Sequence, residues 1–469
     1  MREKLENNFS EWYNDIIERA QILDIRYPVK GNYVWFPYGF KVRKHVLRVL
    51  RSLLDATGHQ EALFPLLIPE TEFAKEAKHI RGFEDQVYWV THGGLDPLNV
   101  KLALRPTSET AIYPMFKVWI RSHAEMPLKI YQVVNVFRYE TKHTRPLIRL
   151  REITTFKEAH TAHATKEDAE RQVGEAVDVY KNFFDTLGIP YTITRRPDWD
   201  KFPGAEYTTA FDTIFPDGKA LQIGTVHNLG QNFAKTFDVT FENPEGEQEH
   251  IFQTCYGISD RCIAALIAAH GDDKGLCIPP DVAPIQCVII PIWFKESQKE
   301  VNREIEKLKE ELKDLRIHVD DRDIRPGQKY FDWEIKGVPL RLELGPRDIR
   351  ENKVMAVRRD TGEKGSISRK DIKSQVQEIL LNITKDMKAR AQKELEGKIH
   401  ESGDLEEAAK IIKDGGGIVR AGWCTAKACA EEIEKKDITV LGLMDEDVTT
   451  DCIVCKGQTK VKIQMGKSY

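Results

Sequence analysis

Residues 129–160 read KIYQVVNVFRYETKHTRPLIRLREITTFKEAH, and no other segment constrains the fold as tightly. Both ends are apolar and strand-like, and the loop between them crowds Arg138, Lys142, His143, Arg145, Arg149 and Arg151 into one hairpin. Alternation sets Arg138 beside Glu140 on one face, and Arg149, Arg151 and Ile153 on one face of the returning strand. An unaccompanied charge set among strand residues is costly to bury. A bound polyphosphate or carboxylate, gripped by guanidinium forks, removes that cost; a merely solvated hairpin leaves the placement unexplained. Neither a Gly-x4-Gly-Lys-[Ser/Thr] cradle nor a dinucleotide fingerprint occurs, so phosphates would have to be held by arginine side chains.

The whole chain of 469 residues is too long for one core, and about three domains are expected at roughly 150 residues each. Helical spacing over residues 38–54 is closed by Gly58, and residues 63–68 read as a strand. Strands dominate residues 128–241, interrupted by a helix from Lys166 to Leu187 that Gly188 ends. Pro279, Pro280 and Pro284 then break the chain. Beyond them a strand over 287–292, a charged amphipathic helix over 295–315, and strands over 316–319 and 340–344 predict an α/β domain. A charged helical stretch over 371–406 leads to the last unit, so the expected division is 1–284, 285–385 and 386–469.

That last unit carries Cys424-x4-Cys429-x22-Cys452-x2-Cys455, two close pairs that can wrap four thiolates around a tetrahedral, structural Zn2+. Cys255, Cys262, Cys277 and Cys287 lack paired spacing and read as core thiols. Seventy basic against 74 acidic side chains, net −4, exclude attachment to polyanions by bulk charge but leave room for a local patch. The longest apolar runs fall far short of the ~18 residues of a membrane-spanning helix. With a charged opening and few, unevenly spaced cysteines, a reducing compartment, the cytoplasm, is expected.

Three segments together carry a resemblance: RPTSET at 105–110, the arginine hairpin, and GISDR at 257–261 opening an apolar helix. The chain resembles the class II aminoacyl-tRNA synthetases. QIGTVHNLGQNF, VDDRDIRPGQKY, KGVPLRLELGPRD and the cysteine tail narrow the likeness to the prolyl-tRNA synthetases of the archaeal and eukaryotic type. The HIGH and KMSKS signatures of the unrelated class I fold are absent. The likeness implies an α+β core, an antiparallel sheet with helices, followed by an α/β anticodon-binding domain and a small zinc-binding α+β domain. It also implies a homodimer formed through the helix and strand around Pro65. The implied activity is a ligase joining L-proline to tRNA(Pro) through a prolyl-adenylate, with ATP and Mg2+.

Site roles follow from the same resemblance. Arg138 would bridge the α-phosphate and the substrate carboxylate, and Arg149 and Arg261 would hold the β- and γ-phosphates. Glu140 and Ser259 would border the ATP site; Gln222 and Thr225 would contact ATP and Mg2+, Gln222 with a hard oxygen. Thr107 and Glu109 would receive the imino group of proline. Phe156, Glu158, His160 and His227 would wall the ring pocket. Ile153 stands where many class II enzymes stack a phenylalanine on adenine, so Arg261 would supply most of the stacking and ATP affinity is expected to be lower. Glu334, Lys336 and Arg347 are candidates for reading anticodon guanines, and the terminal Tyr469 would reach toward the active site. The span between hairpin and Arg261 has no room for an inserted editing domain, so some activation of alanine or cysteine is expected. The rival readings are a non-catalytic paralogue, which would have lost phosphate-binding arginines, and a threonyl enzyme. The latter would want a zinc held by Cys and His in the pocket, and no such set is apparent in the sequence.

Overall fold

The computed structural model describes residues 5, 8–76, 84–444 and 449–469; Met1 to Lys4 and Glu6, part of the charged opening, lie outside the described residues. Apolar and β-branched segments from distant parts of the chain pair into one eleven-stranded sheet. Its strands lie in the order Ile399–Glu401, Ile418–Gly422, Lys462–Gly466, Thr439–Met444, Thr192–Arg195, Tyr207–Ile214, Ala220–Gly230, Phe252–Ile258, Glu152–His163, Leu128–Phe137 and Gln60–Glu61. Pairing is antiparallel from Thr192–Arg195 through to Leu128–Phe137. Within the hairpin Val134 faces Phe156 while Val136 faces Ile153, so one extra residue bulges from the returning strand and turns its side chains.

One face of the sheet is sealed by helices. Lys166–Leu187 starts where the Thr165 hydroxyl accepts from the Asp168 amide, and ends at Gly188, whose φ of 64° suits a residue without Cβ. It buries Val173, Ala176, Tyr180, Phe183, Phe184 and Leu187 in the same core as Val42, Val46, Leu50 and Leu54 of helix Pro37–Ala56. Helix Arg261–His270 completes that layer. Strand alternation then settles what points the other way: Lys157 reaches back to the Tyr180 hydroxyl under the helices, leaving Phe156, Glu158 and His160 for the open face.

Residues beyond the proline break form a five-stranded sheet in the order Ile317–Val319, Cys287–Pro291, Leu340–Leu344, Lys353–Arg358, Lys364–Ser368. The first three strands are parallel and the last two pairings antiparallel. Helix Ile372–Glu396 packs Val376, Leu380, Ile383 and Met387 into the core of this sheet. The C-terminal residues build their own apolar core, and through Leu443 opposite Arg195 their strands extend the central sheet. The chain is thus of the expected α+β class with an α/β second body.

Three local expectations are corrected. Of residues 63–68 only the start of Leu67–Pro69 is strand, because Pro65 has no N–H to give a ladder and Leu63 is exposed. The helix expected over 371–406 stops at Glu396; the chain returns as strand Ile399–Glu401, and Asp404 caps a new helix, Leu405–Asp414. Arg149 and Arg151 precede the returning strand, which begins at Glu152. No described helix is long and apolar enough to cross a membrane.

Candidate active site

A cleft of 480 Å³ opens on the uncovered face of the sheet. Thr107, Glu109, Arg138, Glu140, Arg149, Phe156, Glu158, His160, Gln222, Thr225, His227, Ser259 and Arg261 all line it, so residues 154 positions apart in sequence meet in one place.

One end is cationic. Arg138 leaves the strand Leu128–Phe137 and is aimed by donating from Nε to the Pro106 carbonyl at 3.0 Å, its guanidinium 5.5 Å from the Phe156 ring. Arg261 opens its helix and donates to the carbonyls of Ile148, at 3.0 Å, and Gln222, at 3.3 Å. Burial, then the like charges of Arg138 and Arg149, push the Arg261 pKa down to about 10. Burial also lowers Arg138, against the pull of Glu140, Glu109 and Glu158. Arg261, opposed by two like charges beside it, stores repulsion that a polyanion would relieve. The remaining hairpin cations do other work. Arg151 braces the loop by donating to the Glu140 carbonyl and lying over Tyr139, and Arg145 sits among the rings of Phe9, Tyr13 and Tyr469.

The other end is anionic. The Thr107 hydroxyl donates to Glu109 at 2.5 Å, and Ser108 and Gln132 donate to Glu158. Burial and the neighbouring Glu158 charge raise the Glu109 pKa. Burial also acts to raise Glu158, but hydrogen bonds and charge from His160, with Ser108 and Gln132, outweigh it and hold that pKa low. One carboxylate is therefore readily ionised while the other waits for a cation. His227 is held neutral, its pKa driven to about 3 by burial and by His160, and shares a 2.8 Å hydrogen bond with Thr208.

Gln222 lines the cleft and is positioned by Arg196, which forms a buried fork with Asp212 at 2.7 and 2.8 Å and donates to Gln222 Oε1 at 3.0 Å, leaving that oxygen a second lone pair. Ser259 Oγ accepts from the Arg261 amide at 3.4 Å, and Asp260 is the N-cap residue, without a side-chain cap bond. Ile153 lines the cleft beside Arg149 and Phe156 because the bulge brings residues three apart onto one face. Tyr469 does not line the cleft; it lines an adjoining hollow shared with Ile148 and Arg149. In the α/β domain Glu334 pairs with Arg341 at 3.1 Å, Lys336 lies over Tyr38 of the main body, and Arg347 is exposed beside Glu351.

Two features escaped the sequence. The loop of Trp199, Asp200, Lys201, Phe202 and Pro203 walls the cleft, Phe202 lying 4.8 Å from the His227 ring and Trp199 against Trp423 of the C-terminal unit. Aromatic residues beside Pro203 were the available signal. Cys255, expected to be a core thiol, is buried but lines the cleft, because its strand places it opposite His160. Its Sγ lies 4.0 Å from Glu109, so a Glu, His and Cys set does occur in the pocket.

Away from the cleft, Cys424, Cys429, Cys452 and Cys455 place their sulfurs within 4.8 Å of one another, Cys424 and Cys429 at 3.5 Å. An all-sulfur donor set of that size fits a tetrahedral Zn2+.

Comparison with known proteins agrees along the whole chain. Residues 88–270 match the family of the tRNA synthetase class II core domain (G, H, P, S and T), residues 286–379 the anticodon binding domain, and residues 405–469 the prolyl-tRNA synthetase C-terminal domain. The proline--tRNA ligase of Methanothermobacter thermautotrophicus is 57% identical over 95% of this chain and 93% of its own length. That of Methanocaldococcus jannaschii is 58% identical over 92% and 96%. The solved structure of Giardia lamblia prolyl-tRNA synthetase in complex with prolyl-adenylate superposes with a TM-score of 0.95 at 36% identity, covering 99% of both chains. With its cationic and anionic ends set across one antiparallel sheet, this chain belongs to the proline--tRNA ligases of the class II aminoacyl-tRNA synthetases.

Proposed function

We propose that the chain attaches L-proline to tRNA(Pro) in two steps within this cleft. The observation that carries the reading is the convergence of Arg138, Arg149 and Arg261 at one end and Thr107, Glu109 and Glu158 at the other. In the first step a carboxylate oxygen of proline attacks the α-phosphorus of ATP, the bond to pyrophosphate breaks, and pyrophosphate leaves. The carboxylate is already ionised at neutral pH, so no base is needed; the work is bringing two anions together and neutralising charge on the five-coordinate phosphorus. Arg138, the cleft arginine that feels the charges of Glu109 and Glu158, bridges carboxylate and α-phosphate. Arg149 and Arg261 hold the outer phosphates, with Glu140 and Ser259 at the edge of that site. Glu109 and Thr107 accept the two imino protons, and Phe156, Glu158, His160 and His227 enclose the ring. Mg2+ bound with the triphosphate supplies further positive charge there, and the remaining lone pair of Gln222, next to Thr225, suits it. In the second step the 3′-hydroxyl of the terminal adenosine attacks the prolyl carbonyl, loses its proton, and AMP leaves.

The same reading extends to the rest of the molecule. Zn2+ held by Cys424, Cys429, Cys452 and Cys455 cross-links the C-terminal unit, whose Trp423 backs the cleft loop at Trp199. The exposed apolar Leu63, Leu66 and Leu67 flank Pro65 in the chain and, with the exposed Phe40 of helix Pro37–Ala56, suit a homodimer interface; light scattering at twice the chain mass is the expected result. The protein works in the cytoplasm. Alanine and cysteine are activated slowly, since a pocket shaped for a ring rejects smaller occupants by only a few kcal/mol. Helix Lys166–Leu187 and the strands after it take up the span to Arg261, where an editing insertion would sit. Exchange of labelled pyrophosphate into ATP, run with each amino acid, tests the assignment: dependence on proline above all others supports it, and equal or greater dependence on threonine overturns it.

A further inference from the structure

We propose that the imino end of the cleft is also a Zn2+ site, formed by Glu109, His160 and Cys255, and that Zn2+ and proline exclude one another there. The inference rests on the reading of this end as the proline pocket. A carboxylate oxygen, an imidazole nitrogen and a thiol sulfur from these residues all lie within 4.8 Å of one another, and all three residues are buried. A tetrahedral ion needs such donors roughly 3.5 Å apart, so a small inward shift closes the set.

His160 is already oriented for the task. Its Nδ1 is 3.0 Å from the Tyr113 hydroxyl, and its Nε2, on a side chain 1% exposed, is engaged only by the long 3.5 Å approach of Glu158 Oε2. With the Nδ1 proton donated to Tyr113, Nε2 carries a lone pair for a metal, the outer-sphere arrangement that metal-bound histidines use. Glu158 Oε2, 3.5 Å from the same nitrogen, adds anionic charge beside the ion.

Thiolate, imidazole and carboxylate together select a borderline ion such as Zn2+ over Mg2+, and three protein donors leave a fourth position open to the cleft. The pocket is built to receive the positive charge of an imino group, so a metal cation enters on the same electrostatic terms. Glu109 cannot serve both.

The test measures aminoacylation of tRNA with labelled proline, with pyrophosphatase present, on the protein retaining its C-terminal metal, in chelator-free buffer with added ZnCl2. Zn2+ is expected to raise the KM for proline without lowering kcat. Cys255→Ser, compared with its own Zn-free rate, is expected to need at least about tenfold more Zn2+ for the same inhibition. As a readout independent of activity, Co2+ is expected to give a thiolate charge-transfer absorption that proline suppresses and that Cys255→Ser lacks. Inhibition not competitive with proline, equal sensitivity in Cys255→Ser, or a cobalt absorption indifferent to proline overturns the proposal. Failure of proline-dependent charging without added Zn2+ would instead strike the synthetase reading, while the cobalt absorption would still report on the metal site.

Discussion

Arg138 and Arg261 in the cleft and Arg322, Arg358 and Arg359 in the α/β domain live under opposite electrostatics. Arg322 and Arg358 have their pKa values raised by carboxylate partners, Asp320 and Asp332 for the first, Asp360 and Asp386 for the second. Arg359 is buried, which acts to lower its pKa, yet its fork with Asp272 at 2.6 and 2.7 Å outweighs burial and raises it. In the cleft Arg138 and Arg261 are lowered, Arg261 partly by its own neighbours of like charge. An arginine paired with carboxylates is satisfied by the fold, whereas Arg261 is held by the fold against the repulsion of its neighbours, the mark of a candidate binding site.

The largest expected break in this contrast comes from Arg138→Ala. It is expected to cut the rate of proline-dependent pyrophosphate exchange by about 100- to 1,000-fold, the usual loss for a donor aimed at transition-state charge, while Arg322→Ala leaves exchange near the wild-type rate. Exchange surviving in Arg138→Ala would place the cleft arginines with the structural ones. Next, Glu109→Gln is expected to raise the KM for proline by roughly 10- to 100-fold, since a charge-assisted hydrogen bond of ~1.5–3 kcal/mol is lost, with the KM for ATP unchanged. A smaller effect is pH-dependent. Arg261 has a pKa lowered to about 10, so its charge is present below that pH and lost above it. The KM for ATP is expected to rise as pH climbs through 10, with that limb absent in Arg261→Ala. Smallest is Ile153→Phe, which restores an aromatic face beside Arg261 and is expected to lower the KM for ATP by about twofold to tenfold, the worth of one stacking contact.

Stability sharpens the contrast from the side of the histidines. His59, His227 and His270 are buried with pKa values lowered to about 4, 3 and 4, mainly by desolvation. Each is neutral in the fold and titrates at its ordinary value when unfolded, so the stability it contributes is full above pH 6.5 and is lost as pH falls toward 4. Thermal melting between those values is expected to show a steep fall, with a shallower slope in His227→Gln.

Much of the cleft was legible because its chemistry is carried by residue types that have few other reasons to stand where they do. Arg138 follows a strand, Arg149 lies in the loop before one and Arg261 opens a helix, where a cluster of half-buried guanidiniums calls for an anion. Residues whose role depends on register were not legible. Cys255 looked like a core thiol in an apolar run, and only pairing with the strand of His160 turned it to the cleft. The bulge that sets Ile153 and Phe156 on one face has no local signature, since it arises between two strands. Residues 63–68 failed as a strand because the apolar pattern outweighed Pro65 in the reading, and the 371–406 helix was overextended because charged residues favour a helix and the short strand after Gly397 is defined by its partner, Ile418–Gly422.

The linear chain by itself determined the kinds of group present: clustered arginines, paired carboxylates, two close pairs of thiols, and helix and strand periods for the layers. These depend on local composition and spacing, and are set once the residues are written. Tertiary structure alone decided which of them meet. The C-terminal strands join the central sheet so that Trp423 backs Trp199, and Arg196 is locked on Asp212 to aim Gln222. The first of these contacts joins residues more than two hundred positions apart and the second residues on or beside neighbouring strands, and the energy of both exists only after the backbone hydrogen bonds of one sheet have brought the partners into register.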